Sequence, residues 1–330
     1  MTDFTPSADV LSGETADIYF ARTIEILGKE GINPVAVMEV FPRSAGILCG
    51  MKEVQSLLSR VLQDTKGEVW SLREGDCMDK KEVVLRISAP YRSYGLYETA
   101  ICGILAHCSG WATAARECSQ AAGDLPVVSF GARHVHPSVT GVMDYSAVVG
   151  GCKSCSSSIG SRLTGLEPSG TIPHALILVM GDTASATLAF DKHMPSGIPR
   201  VALVDTFINE AEESINVAEA LGDNLDSVRL DTPAELGGVT VDMVKKVRQR
   251  LDNTGFQKVK IFASGGFNPV KIRQFIEEAA PVDGFGIGSY ITSASPIDFT
   301  ADLHQVDGKA IAKRGRCPGI TPNPRLKSFM

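Results

Sequence analysis

From Leu125 onward the chain repeats one unit, a short apolar run that ends in small or acidic residues and leads into a segment of helical spacing. The runs are PVVSFGAR, RVALVDTF, SVRLDTP, KVKIFASGG and DGFGIGS, and the helical segments include INEAEESINVAEALG, VTVDMVKKVRQRLDNTG and NPVKIRQFIEEAA. Strand and helix in strict alternation predict an α/β fold built on a parallel sheet, either a (β/α) barrel or a doubly wound sheet. The barrel is preferred, because its last two strand-to-helix loops are then SGG (Ser264, Gly265, Gly266) and GIGS (Gly286, Ile287, Gly288, Ser289).

The first third of the chain has a different texture. GETADIYFARTIEILGKEG predicts a helix capped by Thr15, with Glu14 and Asp17 at its positive end and Phe20, Ile24 and Leu27 on one buried face. Tyr19 flanks that stripe, where it covers the helix edge or offers a plate to a ring ligand. PVAVMEVFPR is strand-like, AGILCGMKEVQSLLSRVLQ helical, and GEVWSL with KKEVVLRIS forms a hairpin. From about Tyr94 to Ala122 a proline-free helical pattern carries the chain from the first domain into the second.

At 330 residues, 44% hydrophobic and 21% charged, the chain has room for one large domain and a smaller one. A net charge of −6 argues against nucleic acid and acidic membranes as partners while leaving room for a local anion pocket. MTDFTPSADVLSGE lacks the basic cluster and apolar core of a signal peptide, and runs such as ALILVM are too short to span a bilayer, so a cytoplasmic location is expected. Eight cysteines are then read as reduced thiols. The close pair Cys152 and Cys155 lacks the second pair that a structural zinc site needs and is read as packing.

Candidate chemistry gathers between Phe130 and His174, which holds Arg133, His134, His136, Lys153, Thr171 and His174 among glycines and short apolar runs. VVSF ends at Gly131, and polar side chains at the C-terminal end of a parallel strand are where such folds place their sites. Glycine lets backbone N–H groups approach an anion, so SGG and GIGS together point to phosphate, against the alternative of plain tight turns. Asp205 and Asp231 stand at comparable strand ends, and Arg229 shares a face with Asp231 because side chains alternate along a strand. A carboxylate there holds ribose hydroxyls or Mg²⁺ and stabilises an oxocarbenium ion, or else serves a structural Arg–Asp pair.

Taken in order, ETADIYF, FGARHVHP, GGCKS, GTIPHALI, ALVDTF, VRLDTP, FASGG, GFGIGS and AIAKRGR resemble, over nearly the whole chain, a nicotinate phosphoribosyltransferase of the type II phosphoribosyltransferase group in its short archaeal-like form. The resemblance implies an incomplete parallel (β/α) barrel capped by an N-terminal α/β domain, here 1–115 with 298–330 returning to it and 116–297 as the barrel. It implies transfer of phosphoribose from phosphoribosyl pyrophosphate to nicotinate for NAD synthesis, with Mg²⁺ and with ATP as co-substrate. It also implies a homodimer or higher homo-oligomer that shares its sites. Tyr19 of a partner chain and Phe130 then sandwich the pyridine, Arg133 and His134 serve substrate anions, Thr171 lines the pocket, and His174 is the histidine phosphorylated by ATP. Ser264, Gly265, Gly266, Gly286, Gly288 and Ser289 hold the 5′-phosphate, with Asp231, Asp205 and Arg229 near ribose, metal and anions.

One departure opens the choice of acceptor. Where members of that group carry an acidic residue after GGC or GGF, this chain has Lys153, a cation suited to a more acidic ring such as quinolinate. The tail RCPGITPNPRLKSFM lacks a second cysteine pair, and no structural zinc is expected. Two readings of other classes are a silent nucleotide-binding relative and a Schiff-base aldolase using Lys260.

Overall fold

The computed structural model describes residues 4–330. Its contacts divide the chain into two compact units, Met1–Ala114 with Ala294–Met330, and Ala115–Ser293.

The first unit runs through α1 (Ala8–Ser12), α2 (Ile18–Lys29), β1 (Val35–Pro42), β2 (Gly46–Ile47), α3 (Met51–Val61), β3 (Glu68–Ser71), β4 (Cys77–Met78), β5 (Leu85–Pro90), α4 (Tyr91–Tyr94) and the start of α5 (Glu98–Ala122). Late strands β12 (Phe299–Val306), β13 (Lys309–Ala310) and β14 (Lys327–Ser328) complete a sheet of order β13-β12-β1-β5-β3-β14, antiparallel at every pairing. Alternation sets its core. Leu85, Ile87 and Ala89 of β5 are buried while Arg86, Ser88 and Pro90 are less so, and Leu57 and Leu58 of α3 pack on the inward face.

One local expectation is corrected here. Before Gly13 stands α1, whose N-cap Ser7 accepts a hydrogen bond from the Val10 N–H, and Gly13 ends it at φ +81°. That left-handed turn delays the next helix, so its N-cap position is Asp17 and not Thr15. Phe20 is buried and Ile24 and Leu27 are half-buried, as the stripe predicts. The hairpin forms with Glu68 opposite Ser88.

In the second unit, α5 continues to Ala122 and is followed by β6 (Val127–Ser129), α6 (Thr140–Gly150), β7 (Ser154–Cys155), α7 (Ser158–Thr164), α8 (His174–Met180) and α9 (Thr183–His193). Then come β8 (Val201–Leu203), α10 (Glu210–Leu221), β9 (Ser227–Leu230), α11 (Val241–Asn253), β10 (Lys260–Ala263), α12 (Pro269–Glu277), β11 (Gly284–Ile287) and α13 (Ser289–Thr292). The strands order as β7-β6-β11-β10-β9-β8, every pairing parallel. The sheet is a curled half-barrel, the incomplete form of the expected architecture.

Three helix starts after the central strands are fixed by side-chain caps: Asn209, Thr240 and Asn268 accept hydrogen bonds from the first-turn N–H groups of α10, α11 and α12. Phe267, Phe275 and Phe285 lock α12 onto the sheet, with ring centroids 4.9 Å and 5.3 Å from Phe267. Strand β7, two residues inside GGCKSC, is too short for any periodicity to reveal.

None of the eight cysteines forms a disulfide. Cys152 and Cys155 are buried, and desolvation is the main cause that raises both, Cys155 to about 11, so neither supplies a thiolate at neutral pH. Among the described residues no cluster of three or more His, Cys, Asp or Glu could hold a metal ion, and no helix is long and apolar enough to cross a membrane.

Candidate active site

The parallel sheet brings its polar residues together at the C-terminal ends of the strands. At the centre is Arg229 on β9, which donates from Nε to Ser264 Oγ at 2.8 Å, from Nη1 to Thr171 Oγ1 at 3.1 Å and from Nη2 to Asp231 Oδ2 at 2.8 Å. The other oxygen of Asp231 accepts from Ser264 Oγ at 2.8 Å. Three directions of a rigid fork are thereby fixed, so the guanidinium is held in one plane. That plane lies against an aromatic ring, since Arg229 Cζ is 4.7 Å from the Phe130 centroid.

Phe130 reaches this place because of a glycine. It follows β6, and β11 and β10 stand between β6 and β9 in the sheet. A Cβ on Gly286 of β11 would come within 2.3 Å of Phe130 Cε2, so only glycine lets the ring lie across that strand. Gly286, expected to hold phosphate, is placed under the aromatic ring. Below the rim, Val128, Phe130, Thr171, Arg229 and Ser264 help to line a cavity of about 40 Å³. It has room for about three waters and none for a six-membered ring, which would have to displace the guanidinium from Phe130.

A second cluster stands at the end of β8. His174, the first residue of α8, places Nε2 3.1 Å from Asp205 Oδ2. The Asp205 side chain is 1% exposed, and its Oδ1 is buried without a hydrogen-bond partner. Burial raises its pKa above the usual carboxylate range and the neighbouring Asp231 adds to this, while His174 and Arg229 pull it down. His174 is 41% exposed in its side chain, so the imidazole edge away from Asp205 meets solvent.

The SGG loop follows β10. Gly265 and Gly266 are both left-handed, with φ +84° and +72°, and a Cβ on Gly265 would lie 3.4 Å from Asp231 Oδ1. Neither N–H has an acceptor among the described residues, so the loop offers two unpaired donors. After β11, Gly288 sits against Nε2 of His134, 3.1 Å from the position of an added Cβ, and Ser289 opens α13.

Other expected site residues take no part in these hydrogen bonds. Arg133 and His134 form an exposed 3₁₀ turn after Phe130. Lys153 is exposed, and its N–H bonds to the Val127 carbonyl, so its backbone is level with the start of β6 and not with the rim. Tyr19 belongs to the first unit, 56% exposed on α2, with its ring centroid 4.5 Å from that of Phe20.

Asp144 falls outside the strand-end and glycine-loop patterns. Fully buried on α6, it accepts from Ser129 Oγ at 3.0 Å, Ser157 N at 3.0 Å and Ser157 Oγ at 2.6 Å. It thus ties the residue before Phe130 to the cap of α7. An Asp in the small and apolar stretch GVMDYSAVVGG was the available signal, since a buried carboxylate must find donors.

Comparison with known proteins bears on this arrangement. The model for the quinolinate phosphoribosyl transferase N-terminal domain matches residues 17–109, and that for the C-terminal domain matches 111–302. A crystal structure of nicotinate-nucleotide pyrophosphorylase from Pyrococcus furiosus is 40% identical, covers 96% of this chain and 81% of its own, and superposes with a TM-score of 0.88. The nicotinate-nucleotide pyrophosphorylase of Ehrlichia chaffeensis, at 19% identity, 89% and 96% coverage and TM-score 0.69, shares the fold. A nicotinate phosphoribosyltransferase of Mycobacterium tuberculosis is 29% identical over 255 residues, 75% of this chain and 53% of that protein. The chain spans about half the length of the curated relatives it matches.

These matches correct the type II nicotinate phosphoribosyltransferase expected from the motifs. FASGG and GFGIGS, read as phosphate loops, carry no information about an acceptor ring, so they could not separate one phosphoribosyltransferase group from another. Matched by both domain models over most of its length, and 40% identical to a pyrophosphorylase across nearly all of it, the chain belongs to the quinolinate phosphoribosyl transferase family.

Proposed function

We propose that this chain transfers the phosphoribosyl group of phosphoribosyl pyrophosphate to the ring nitrogen of quinolinate, releasing pyrophosphate and carbon dioxide and leaving nicotinate mononucleotide for NAD synthesis. Family membership supports the reaction class. The observation that carries the reading is the Arg229 guanidinium, flat on Phe130 and anchored to Asp231, Ser264 and Thr171 beside the free N–H groups of the SGG loop. A planar cation at the rim supports an acceptor that is itself anionic and flat, entering as the guanidinium gives way from Phe130.

The chemistry needs positioning and fields more than covalent catalysis. The pyridine nitrogen forms its bond to the anomeric carbon as the bond to pyrophosphate breaks, and that electron pair departs with the leaving group. Asp231 and Asp205 supply negative potential to the sugar as positive charge builds there. Gly265 and Gly266 donate to the 5′-phosphate, and Arg229 meets a ring carboxylate. The positive ring nitrogen then labilises the adjacent carboxylate; carbon dioxide leaves, its bonding electrons stay on the ring carbon, and a proton from water replaces it.

The donor set also fits a divalent cation that arrives with phosphates, because Asp205 keeps one carboxylate oxygen unpartnered. Asp205 and Asp231 would hold Mg²⁺, which neutralises the leaving pyrophosphate. Loss of carbon dioxide makes the transfer irreversible without ATP, and the phosphohistidine expectation for His174 rested on the family now corrected. Within this reading His174 is an imidazole oriented by Asp205, and Tyr19 is offered to the slot of a second copy in a homodimer.

The test supplies phosphoribosyl pyrophosphate and Mg²⁺ with quinolinate, nicotinate or nicotinamide in turn, with and without ATP, and follows products by mass. Quinolinate labelled at its 2-carboxyl should yield nicotinate mononucleotide and labelled carbon dioxide, unaffected by ATP. Turnover of nicotinate but not quinolinate would overturn the acceptor, and no pyrophosphate from any ring would overturn the reaction.

A further inference from the structure

One cation near the rim has no role in the site as built so far. Lys271, in the first turn of α12, is half-buried, and its ammonium makes neither an ion pair nor a hydrogen bond among the described residues. Its Nζ lies 4.4 Å from the centroid of Phe267, the buried residue that directly follows Gly266, and 3.8 Å from the position of a Cβ on Gly238. An ammonium partly removed from water without a counter-charge is disfavoured, and burial alone lowers the pKa of Lys271. An anion at the same place removes that penalty.

The surroundings are shaped for one. Loops after the neighbouring strands β9 and β10 each contain a pair of left-handed glycines, Gly237 and Gly238 at φ +92° and +68°, Gly265 and Gly266 at +84° and +72°. Around the Cβ positions of Gly237 and Gly266 nothing lies within 4 Å, so both loops border open space. The N–H groups of Gly237 and Gly238 are spent within their own loop on Ala234 and Pro233 carbonyls, whereas those of Gly265 and Gly266 are free. Two amides and one ammonium therefore lack acceptors at one edge of the sheet.

We propose that Lys271 is a further ligand for the phosphomonoester of the sugar donor, completing the SGG loop from the side of Gly237 and Gly238. A phosphomonoester offers three acceptor oxygens and close to two negative charges, which matches two neutral donors and a cation better than a carboxylate does. The proposal rests on the transferase reading for the identity of the donor, but not for the chemistry of the site.

The experiment compares the unaltered chain with Lys271→Met, Lys271→Gln and Lys271→Arg, each checked by thermal melting. Calorimetry gives the Kd of ribose 5-phosphate, and kinetics gives kcat and the KM of each substrate. Loss of the ammonium should raise both the Kd of ribose 5-phosphate and the KM of phosphoribosyl pyrophosphate about tenfold or more, with kcat and the acceptor KM within about twofold. Arginine should restore most of the affinity. An unchanged Kd in a folded Met or Gln variant overturns the assignment, as does failure of the unaltered chain to bind ribose 5-phosphate. If the chain releases no pyrophosphate yet binds ribose 5-phosphate through Lys271, the transferase reading fails and the phosphate site stands.

Discussion

Two ionic clusters in this molecule are built from the same residue types and finished differently. In the first unit, Glu39 on β1 stands opposite Arg86 on β5, and its completely buried carboxylate accepts from Arg86 Nε at 2.7 Å and from the Thr321 N–H at 3.1 Å. His304 lies 3.7 Å from its other oxygen. In the second unit, Arg229 and Asp231 are 18% and 25% exposed in their side chains, Asp205 leaves one oxygen unpartnered, and Lys271 and two loop amides have no acceptor. In the cluster that holds strands together both Glu39 oxygens are paired, since each unpaired buried group costs stability, and His304 Nε2 is left without a partner among the described residues. One that stays open at the end of a parallel sheet trades that stability for a ligand.

The comparison breaks most visibly at Glu39. Replacing it by alanine strands the Arg86 guanidinium against the sheet, and the loss in unfolding free energy should be about 3–5 kcal/mol by denaturant titration, with the activity of the remaining folded protein unchanged. A loss below about 1 kcal/mol would remove the structural reading of that cluster.

Arg229→Met should show the opposite split. Stability should change little, since the site is partly exposed and Asp231 keeps Ser264 as a donor. Meanwhile kcat/KM for the pyridine acceptor should fall about 10²–10³-fold, the usual effect of deleting one aimed electrostatic donor. Steady-state kinetics beside a melting curve separates the two outcomes, and a large drop in stability with intact kinetics would reverse the assignment.

The smallest effect concerns a carboxyl with no cation to answer it. Glu53 in the first turn of α3 is pushed up to about 7 by burial and then by Glu74, whose carboxylate accepts from the Gly50 and Lys52 N–H groups. Because its folded pKa lies above the unfolded value, its contribution to stability is full below about 4.5 and is lost as pH rises towards 7. Glu53→Gln should therefore flatten stability against pH in that window and leave kinetics alone. A melting profile as steep as that of the parent would assign the pH dependence elsewhere.

Much of the scaffold was legible because its signals are local. Apolar runs, helical spacing and the caps Asn209, Thr240 and Asn268 act within a few residues, and they mark five of the six parallel strands and most of the helices. Arg229 and Asp231 were legible as a pair because alternation along one strand puts both on the same side. Strand β7 was hidden, since two residues have no period, and Asp144 was hidden because its serine partners lie on other elements.

What sequence alone settled was thus the alternation of strand and helix and the placing of SGG and GIGS after consecutive strands, for these depend on short-range periodicity and glycine conformation. Tertiary structure decided which side chains meet. Phe130 reaches Arg229 only by crossing a strand that glycine leaves bare, and Thr171, Ser264 and Asp231 converge on one guanidinium from three separate segments. The contacts of Arg229 with Ser264, Thr171 and Phe130 join residues 35 to 99 positions apart, a separation over which no repeating pattern survives, so only the folded sheet could bring them together.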